Sequence, residues 1–308
     1  MVMPHMKCQQ ILFSAHVVME TKFLSLIAQV RTVLDFGFLS NRKQRVVLSG
    51  YFSKDEAVTS GVPQGVSSWT GTVFLYINDI GLCLKSTIRL YGDDALLHYP
   101  ITNASSVEAF QKDLDSLERW AREWQMSFNT SKCFVMIFGS TSAVNILDLQ
   151  YKLNNTVLQR VNSVKYLGVN ITDNFNWGDH IVKKQSEAMQ TLGMLKRNLH
   201  SAPTKVKLIA YKTLCRLRME FAVEVWDPTA NKYIQMLEMV QNKAARFVSN
   251  LKRRERVTNE KERLGLEPLQ DRRKMQRIYT LHNIMGSKDT SLGELNDLIN
   301  ECFKEDGP

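Results

Sequence analysis

Asp93 and Asp94 are the residues of this chain whose types and placement point most directly to chemistry. They follow Gly92 between two apolar runs, Thr87-Ile88-Arg89-Leu90-Tyr91 and Ala95-Leu96-Leu97-His98-Tyr99, a pattern that predicts a β-hairpin with an acidic tip. Neighbours on a strand face opposite ways, but at a turn both carboxylates can approach one point. Held together they repel, and a divalent cation removes that penalty; hard oxygen ligands suit Mg²⁺. Two such ions can clamp the attacking and leaving oxygens of a phosphoryl transfer, and holding both takes carboxylates from more than one strand. Asp and Gly are also ordinary turn formers, so the tip alone admits a purely structural reading.

The elements that must position this tip can be read on either side of it. Residues 20–40 and Thr72 to Ile80 are expected as helices. Val46-Val47-Leu48 and Glu56-Ala57-Val58-Thr59 are expected as short strands. Between those segments, Gly61-Val62-Pro63-Gln64-Gly65 is a loop in which flexible glycines surround a fixed φ. A helix capped by Ser105 or Ser106 should run to about Gln125, with Val107, Phe110, Leu114, Leu117 and Trp124 on its apolar face. Cys133 to Phe138 reads as a strand, Asn154-Asn155 as a hairpin turn, and Val164 to Ile171 as a strand containing Gly168. After Asp173 the character changes: residues 179–199, 203–221, 231–250 and 268–285 read as helices. The expected class is α+β, with a mixed part over 1–177 before an all-helical part.

Composition narrows the partners. The chain has 308 residues and a net charge of +9. Residues 180–288 hold 23 Lys/Arg and 10 Asp/Glu, a net of +13, whereas 289–308 hold 1 and 6, a net of −5. A basic half suits a polyanion such as nucleic acid; a solvated helical surface is the plain alternative. No apolar run approaches the ~18 residues of a membrane helix, so no membrane partner is expected. Met1–Lys7 lacks the pattern of a secretory signal. Five scattered cysteines without a C-x-x-C pair suggest reduced thiols rather than a zinc site or a disulfide framework.

Five motifs occur in order: Gly61-Val62-Pro63-Gln64-Gly65; Tyr76-Ile77-Asn78-Asp79-Ile80; Tyr91-Gly92-Asp93-Asp94; Trp124 to Asn129 with Lys132-Cys133; and Tyr166-Leu167-Gly168-Val169. The series resembles the reverse transcriptase of non-LTR (LINE-type) retrotransposons, from about His5 to about Gly286. The resemblance implies RNA-directed DNA synthesis by a right-hand polymerase using Mg²⁺, or Mn²⁺ in its place, with an RNA template, a DNA primer and deoxynucleoside triphosphates. It implies a partial palm over 1–177, a helical thumb over 178–250 and a basic helical extension with an acidic tail over 251–308. Asp93 and Asp94 would be metal ligands, and Lys132 a catalytic lysine near the nucleotide phosphates. Pro63, Gln64, Gly65, Tyr91 and Gly92 would face nucleotide and template, and Tyr166, Leu167 and Gly168 the primer. By residue type alone, Lys132 is equally a solvated lysine before a strand, and Tyr166 and Leu167 pack a core. RNA and chromosomal partners imply cytoplasm and nucleus.

The chain departs from that family pattern. Met3-Pro4-His5 resembles the segment that follows the family's first metal aspartate, which in this register would lie just before Met1. Asp35, Asp55 and Asp79 do not read as strand aspartates facing Asp93. Fingers and an endonuclease domain have no counterpart, and Val66 to Thr72 differ from the family's usual residues after Gly65. The expectation is a palm without its first catalytic strand, a sheet edge left open, and little or no polymerase activity. A non-catalytic nucleic-acid-binding relic is the alternative, and a degenerate element whose palm folds poorly is a third reading.

Overall fold

The computed structural model describes the backbone of residues 9–19 and, in full, residues 43–57, 77–82, 84–92, 94–124, 126–139, 150–252 and 255–286. Asp93, Pro63, Gln64, Gly65 and the expected helix over 20–40 lie outside the described residues. In chain order the strands are β1 (Gln9–Met19), β2 (Lys43–Gln44), β3 (Val47–Leu48), β4 (Tyr51–Phe52), β5 (Glu56–Ala57), β6 (Thr87–Tyr91) and β7 (Asp94–Ile101). Helix α1 (Ala104–Glu123) is followed by β8 (Met126–Phe128), β9 (Phe134–Phe138), β10 (Lys152–Leu153), β11 (Thr156–Val157), β12 (Gln159–Arg160), β13 (Ser163–Tyr166) and β14 (Val169–Thr172). The helical part comprises α2 (Gly178–Asn198), α3 (Thr204–Ala210), a π-helical turn (Tyr211–Arg216), α4 (Leu217–Glu220), α5 (Val223–Trp226), α6 (Asn231–Val248), α7 (Thr258–Arg263) and α8 (Leu269–Gly286). The chain divides into two compact units, Met1–Tyr166 with Thr172–Phe175, and Leu167–Ile171 with Asn176–Pro308.

The first unit is built on a sheet of strand order β12-β9-β1-β7-β6, with β8 also paired to β1. The expected open edge is therefore corrected: β1 lies centrally, antiparallel to both β7 and β9. Its run of Ile, Leu, Phe and Val suits a strand with neighbours on both sides. The sheet alternates in the usual period of two. Ala95, Leu97 and Ile101 of β7 and Val135 and Ile137 of β9 are buried in one core with Phe110, Leu114, Leu117 and Ala121 of α1. Asp94, Leu96 and His98 of β7 and Thr87, Arg89 and Tyr91 of β6 share the opposite face.

Helix α1 is capped two to three residues earlier than expected. Asn103, rather than Ser105 or Ser106, is the N-cap: its Oδ1 accepts from Ser106 N–H at 2.9 Å, and Ser106 Oγ accepts from Asn103 N–H at 2.9 Å. This reciprocal pair satisfies two backbone donors and is worth ~1 kcal/mol. The carboxylate of Asp113, buried on α1, then accepts from Lys85 N–H at 3.1 Å, from Ser86 N–H at 2.6 Å and from the Ser86 hydroxyl. These bonds tie the foot of β6 to the helix. Asp79 accepts from the Trp120 indole at 3.0 Å, a structural use of its carboxylate.

Two consecutive positive-φ residues, Leu167 (φ 44°) and Gly168 (φ 85°), break the single strand expected over 164–171 into the β13–β14 hairpin. A positive φ at both central positions gives a turn whose twist matches the strands. Asn154 and Asn155 (φ 50° and 58°) do the same for β10–β11, as their types predict.

The second unit is helical. Ile181, Ala188, Leu192 and Leu195 of α2 and Leu237, Val240, Ala244 and Val248 of α6 recur at helical spacing and are buried together with Trp226. The helix expected over 203–221 widens at the π-helical turn, which places both Tyr211 and Cys215 in the core. Burial pushes the Cys215 thiol up to about 12, so it stays protonated and inert. Helices α7 and α8 share this core through Leu264, Leu266 and Leu269, so the expected boundary between 250 and 251 has no counterpart in the packing.

His180 sits at the start of α2, its ring edge-on to Trp226 and its Nδ1 accepting from Asn170 N–H at 3.1 Å. Burial foremost, with Lys184 beside it, lowers its pKa from 6.5 to about 4. Between those values the unfolded chain binds a proton that the folded chain does not, so stability falls as pH drops through that window. The thermal midpoint of the helical unit is therefore expected to be lower at pH 5 than at pH 7, and His180→Gln to flatten that dependence in a pH series of melting curves. An equal pH slope in the variant would assign the effect to other groups.

Candidate functional site

The hairpin tip is set by β6 and β7, whose register pairs Tyr91 with Asp94. Gly92 adopts φ 61°, with open space where a side chain would project, so the backbone twist rather than crowding requires glycine there. Tyr91 is exposed at the tip, 64% of its surface open to solvent, and Asp94 is partly buried. The face carrying Asp94 is the one turned away from α1. On the β9 side the same face is covered: Phe138 is buried and stacks on Phe175 with ring centroids 4.8 Å apart.

Strand β1 adjoins the tip. Its Cα register sets Ala15 against Ala95 and His16 against Asp94, and beyond this point β1 leaves β7 to pair Val17, Val18 and Met19 with β8. On the other side of β1, Ser14 is set against Phe134 at the start of β9. Lys132 precedes Phe134 in a 3-10 turn, Thr130–Lys132, and is solvent-exposed. Asp94 and Lys132 thus flank the same end of β1, from strands two spacings or ~10 Å apart. Tyr166, at the end of β13, is drawn in as well: burial first, and then the nearby Asp94 carboxylate, raise its phenol pKa.

The structure therefore brings together Tyr91, Gly92, Asp94, Lys132 and Tyr166. Leu167 and Gly168 fall in the second unit, where a side chain on Gly168 would meet the Phe221 ring at 3.1 Å. Sequence reading missed the strand at His16, whose one signal was the β-forming run around it. Among the described residues the donor set does not fit a pair of Mg²⁺ ions. Gln9–Met19 contains no Asp or Glu, and no group of three or more metal-ligating side chains occurs among the described residues. Hairpin carboxylates alone leave two divalent ions without a ligand from a second strand.

In the second unit, the cations are not uniformly available. Lys183, Lys196, Arg197, Lys205 and Arg218 are exposed. Lys207 and Arg216 are instead engaged within the protein. Lys207 is buried and donates to Asn250 Oδ1 at 2.7 Å, while Arg216 lies 3.6 Å from the Glu220 carboxylate. Burial and neighbouring Lys243 lower the Lys196 pKa, a like-charge strain that a bound phosphate would relieve. No helix among the described residues is long and apolar enough to cross a membrane.

Comparison with known proteins adds a family. The reverse transcriptase (RNA-dependent DNA polymerase) family matches residues 20–171. The RNA-directed DNA polymerase from mobile element jockey of Drosophila funebris is 26% identical over 242 residues, covering 74% of this chain and 26% of that protein. Its Drosophila melanogaster counterpart is 24% identical over 230 residues, covering 69% and 24%. The probable RNA-directed DNA polymerase from transposon X-element of Drosophila melanogaster is 22% identical over 225 residues, again covering 69% and 24%. The chain spans about a quarter of the length of these curated relatives.

Proposed function

We propose, from the premise that residues 20–171 belong to the reverse transcriptase family, that this chain handles an RNA template paired with a DNA primer. In this reading the first unit is a polymerase palm, the helical unit a thumb, and deoxynucleoside triphosphates the ancestral substrates. One observation carries it: the β6–β7 hairpin ends in the Tyr91–Asp94 turn, with Tyr91 exposed and Tyr166 near Asp94. Exposed Lys and Arg side chains of the helical unit hold phosphates, which fixes a duplex in place without reading its sequence. Tyr166 and Leu167-Gly168 support the primer. Pro63, Gln64 and Gly65 support template and nucleotide by their place in the family motif. Mg²⁺ is the cation of the ancestral reaction, with Mn²⁺ as its substitute, and cytoplasm and nucleus are the compartments such partners occupy. No nucleotidyl-transfer step is assigned to this chain, because the strand beside the tip supplies no acid. That absence favours the second reading, a binding relic of the same polymerase.

A labelled RNA–DNA duplex tests both readings. Anisotropy titrations are expected to show binding that weakens linearly in log–log salt plots, by ~0.9 per phosphate contact, and Lys196→Ala with Lys243→Ala to reduce the slope by about 1–2. Primer extension with Mg²⁺ on the same preparation is expected to give no product. Absence of binding at low salt would overturn the reading, and product abolished by Asp93→Ala would make the chain a working polymerase.

A further inference from the structure

We infer that the outward face of α8 is a docking surface, and that its occupant is the acidic segment 292–303 of this same chain. Helix α8 packs by its polar side. Arg272 donates to Glu220 at 2.6 Å, Arg273 to Asp227 at 2.7 Å, and Gln276 and Thr280 to Glu224 at 2.8 and 3.3 Å. The opposite side is apolar. Met275, Ile278, Tyr279 and Met285 recur at helical spacing and are exposed, Met275 to 63% and Tyr279 to 68%. A helix ordinarily turns such a stripe toward a core, and an exposed one marks an interaction site.

The occupant is argued from length and charge. Residues 287–308 lie outside the described residues. In sequence, Ser291 and Glu294 make the Ser-x-x-Glu pattern of a helix start, and Leu292, Leu295, Leu298, Ile299 and Phe303 follow at helical spacing. Four residues, 287–290, separate Gly286 from that start, a length that joins antiparallel helices. Met275 to Met285 rises about 15 Å along α8, and residues 292–303 as a helix would rise about 17 Å, so a returning segment covers the stripe. That return sets Leu292 by Met285, Ile299 by Ile278 and Cys302 by Met275. Residues 269–286 hold four Lys/Arg and one Asp, a net of +3, against −5 for residues 289–308. In the same register Glu294 runs beside His282, Glu301 beside Lys274, and Lys304 reaches the Asp271 end.

The experiment uses the full chain, whose Cys302 falls within the segment. Met275→Cys is expected to form an intrachain disulfide with Cys302 on mild oxidation, located by peptide mass. Gln270→Cys, exposed on the same helix but off the stripe, is expected to form none. Adding Leu295→Asp and Ile299→Asp to the Met275→Cys chain should cut the yield at least about tenfold. A second measurement leaves α8 unaltered: dilute peroxide should oxidise Met275 and Met285 at least about tenfold more slowly in the native chain than in the Leu295→Asp, Ile299→Asp variant. Equal disulfide yield from Gln270→Cys would overturn the inference, as would no disulfide from Met275→Cys in protein whose circular dichroism is unchanged. Disulfides found only between chains would overturn it in favour of a second copy. Equal rates of methionine oxidation would show that the segment leaves the face uncovered.

Discussion

Asp113→Ala is expected to lower the stability of the first unit by ~3–5 kcal/mol, because it strands buried donors that a charged acceptor now satisfies. Asp113 is 3% exposed, and its two oxygens take the backbone N–H groups of Lys85 and Ser86 and the Ser86 hydroxyl. Without the carboxylate, the Lys85 and Ser86 donors lose their protein partner. The damage is local in its first expression. Residues 85–86 lead directly into β6, so the hairpin that carries Tyr91 and Asp94 loses its anchor to α1. Urea unfolding should report the loss in midpoint, and hydrogen exchange should accelerate at the Thr87–Tyr91 amides before those of α2 or α6. Asp113→Asn should fall between, since its amide keeps one acceptor and turns a donor toward other donors. A midpoint unchanged within error in Asp113→Ala would mean that these bonds contribute nothing net.

The second large effect is expected from Asp227→Ala in the helical unit, again ~3–5 kcal/mol, because it leaves a buried cation without its counter-charge. Arg273 is 1% exposed, and its Nε donates to Asp227 Oδ1 at 2.7 Å. Arg277 lies 3.1 Å from the other oxygen. The flanking pairs, Arg272 on Glu220 at 2.6 Å and Gln276 on Glu224 at 2.8 Å, hold α8 against α4 and α5 through polar contacts. Removing one partner exposes the full desolvation penalty of the other. The double variant Asp227→Ala, Arg273→Met should recover most of the loss, since replacing both charges by apolar groups is close to neutral. Trp226 adjoins the pair in sequence and is fully buried, so its fluorescence follows the transition. A double variant no more stable than Asp227→Ala would show that the ion pair is not the source.

The hairpin and its tip were legible in the residues because strand alternation and a Gly-Asp turn are local signals, complete within about fifteen positions. The helix over 231–250 was legible for the same reason, and Leu237, Val240 and Ala244 fall at helical spacing in its core face. Strand β1 was not, because its pairing is decided by β7 and β9, far along the chain. Neither was the turn at Leu167, since leucine rarely takes a positive φ and only the Gly168 beside it hints at one. The pairing of Lys207 and Arg216 was not legible, because a cation on an amphipathic helix reads as solvated until its partner is seen, Asn250 far along the chain or Glu220 one turn on. The expected roles of Asp93 and of the Pro63–Gly65 loop rest on motif alone.

The central place of β1 also sets the order of events when the chain folds. Its partners begin about 75 and 115 residues after it, and closing loops of that length costs ~4 kcal/mol of chain entropy before any pairing repays it. The β6–β7 hairpin and α1 are local and form early, yet until β1 arrives β7 and β9 each present an unpaired edge. Pairing of β1 with these distant partners is thus a slow step in assembling the sheet. During synthesis its pairing with β7 cannot be complete before Ile101 has been made, nor its pairing with β9 before Phe138.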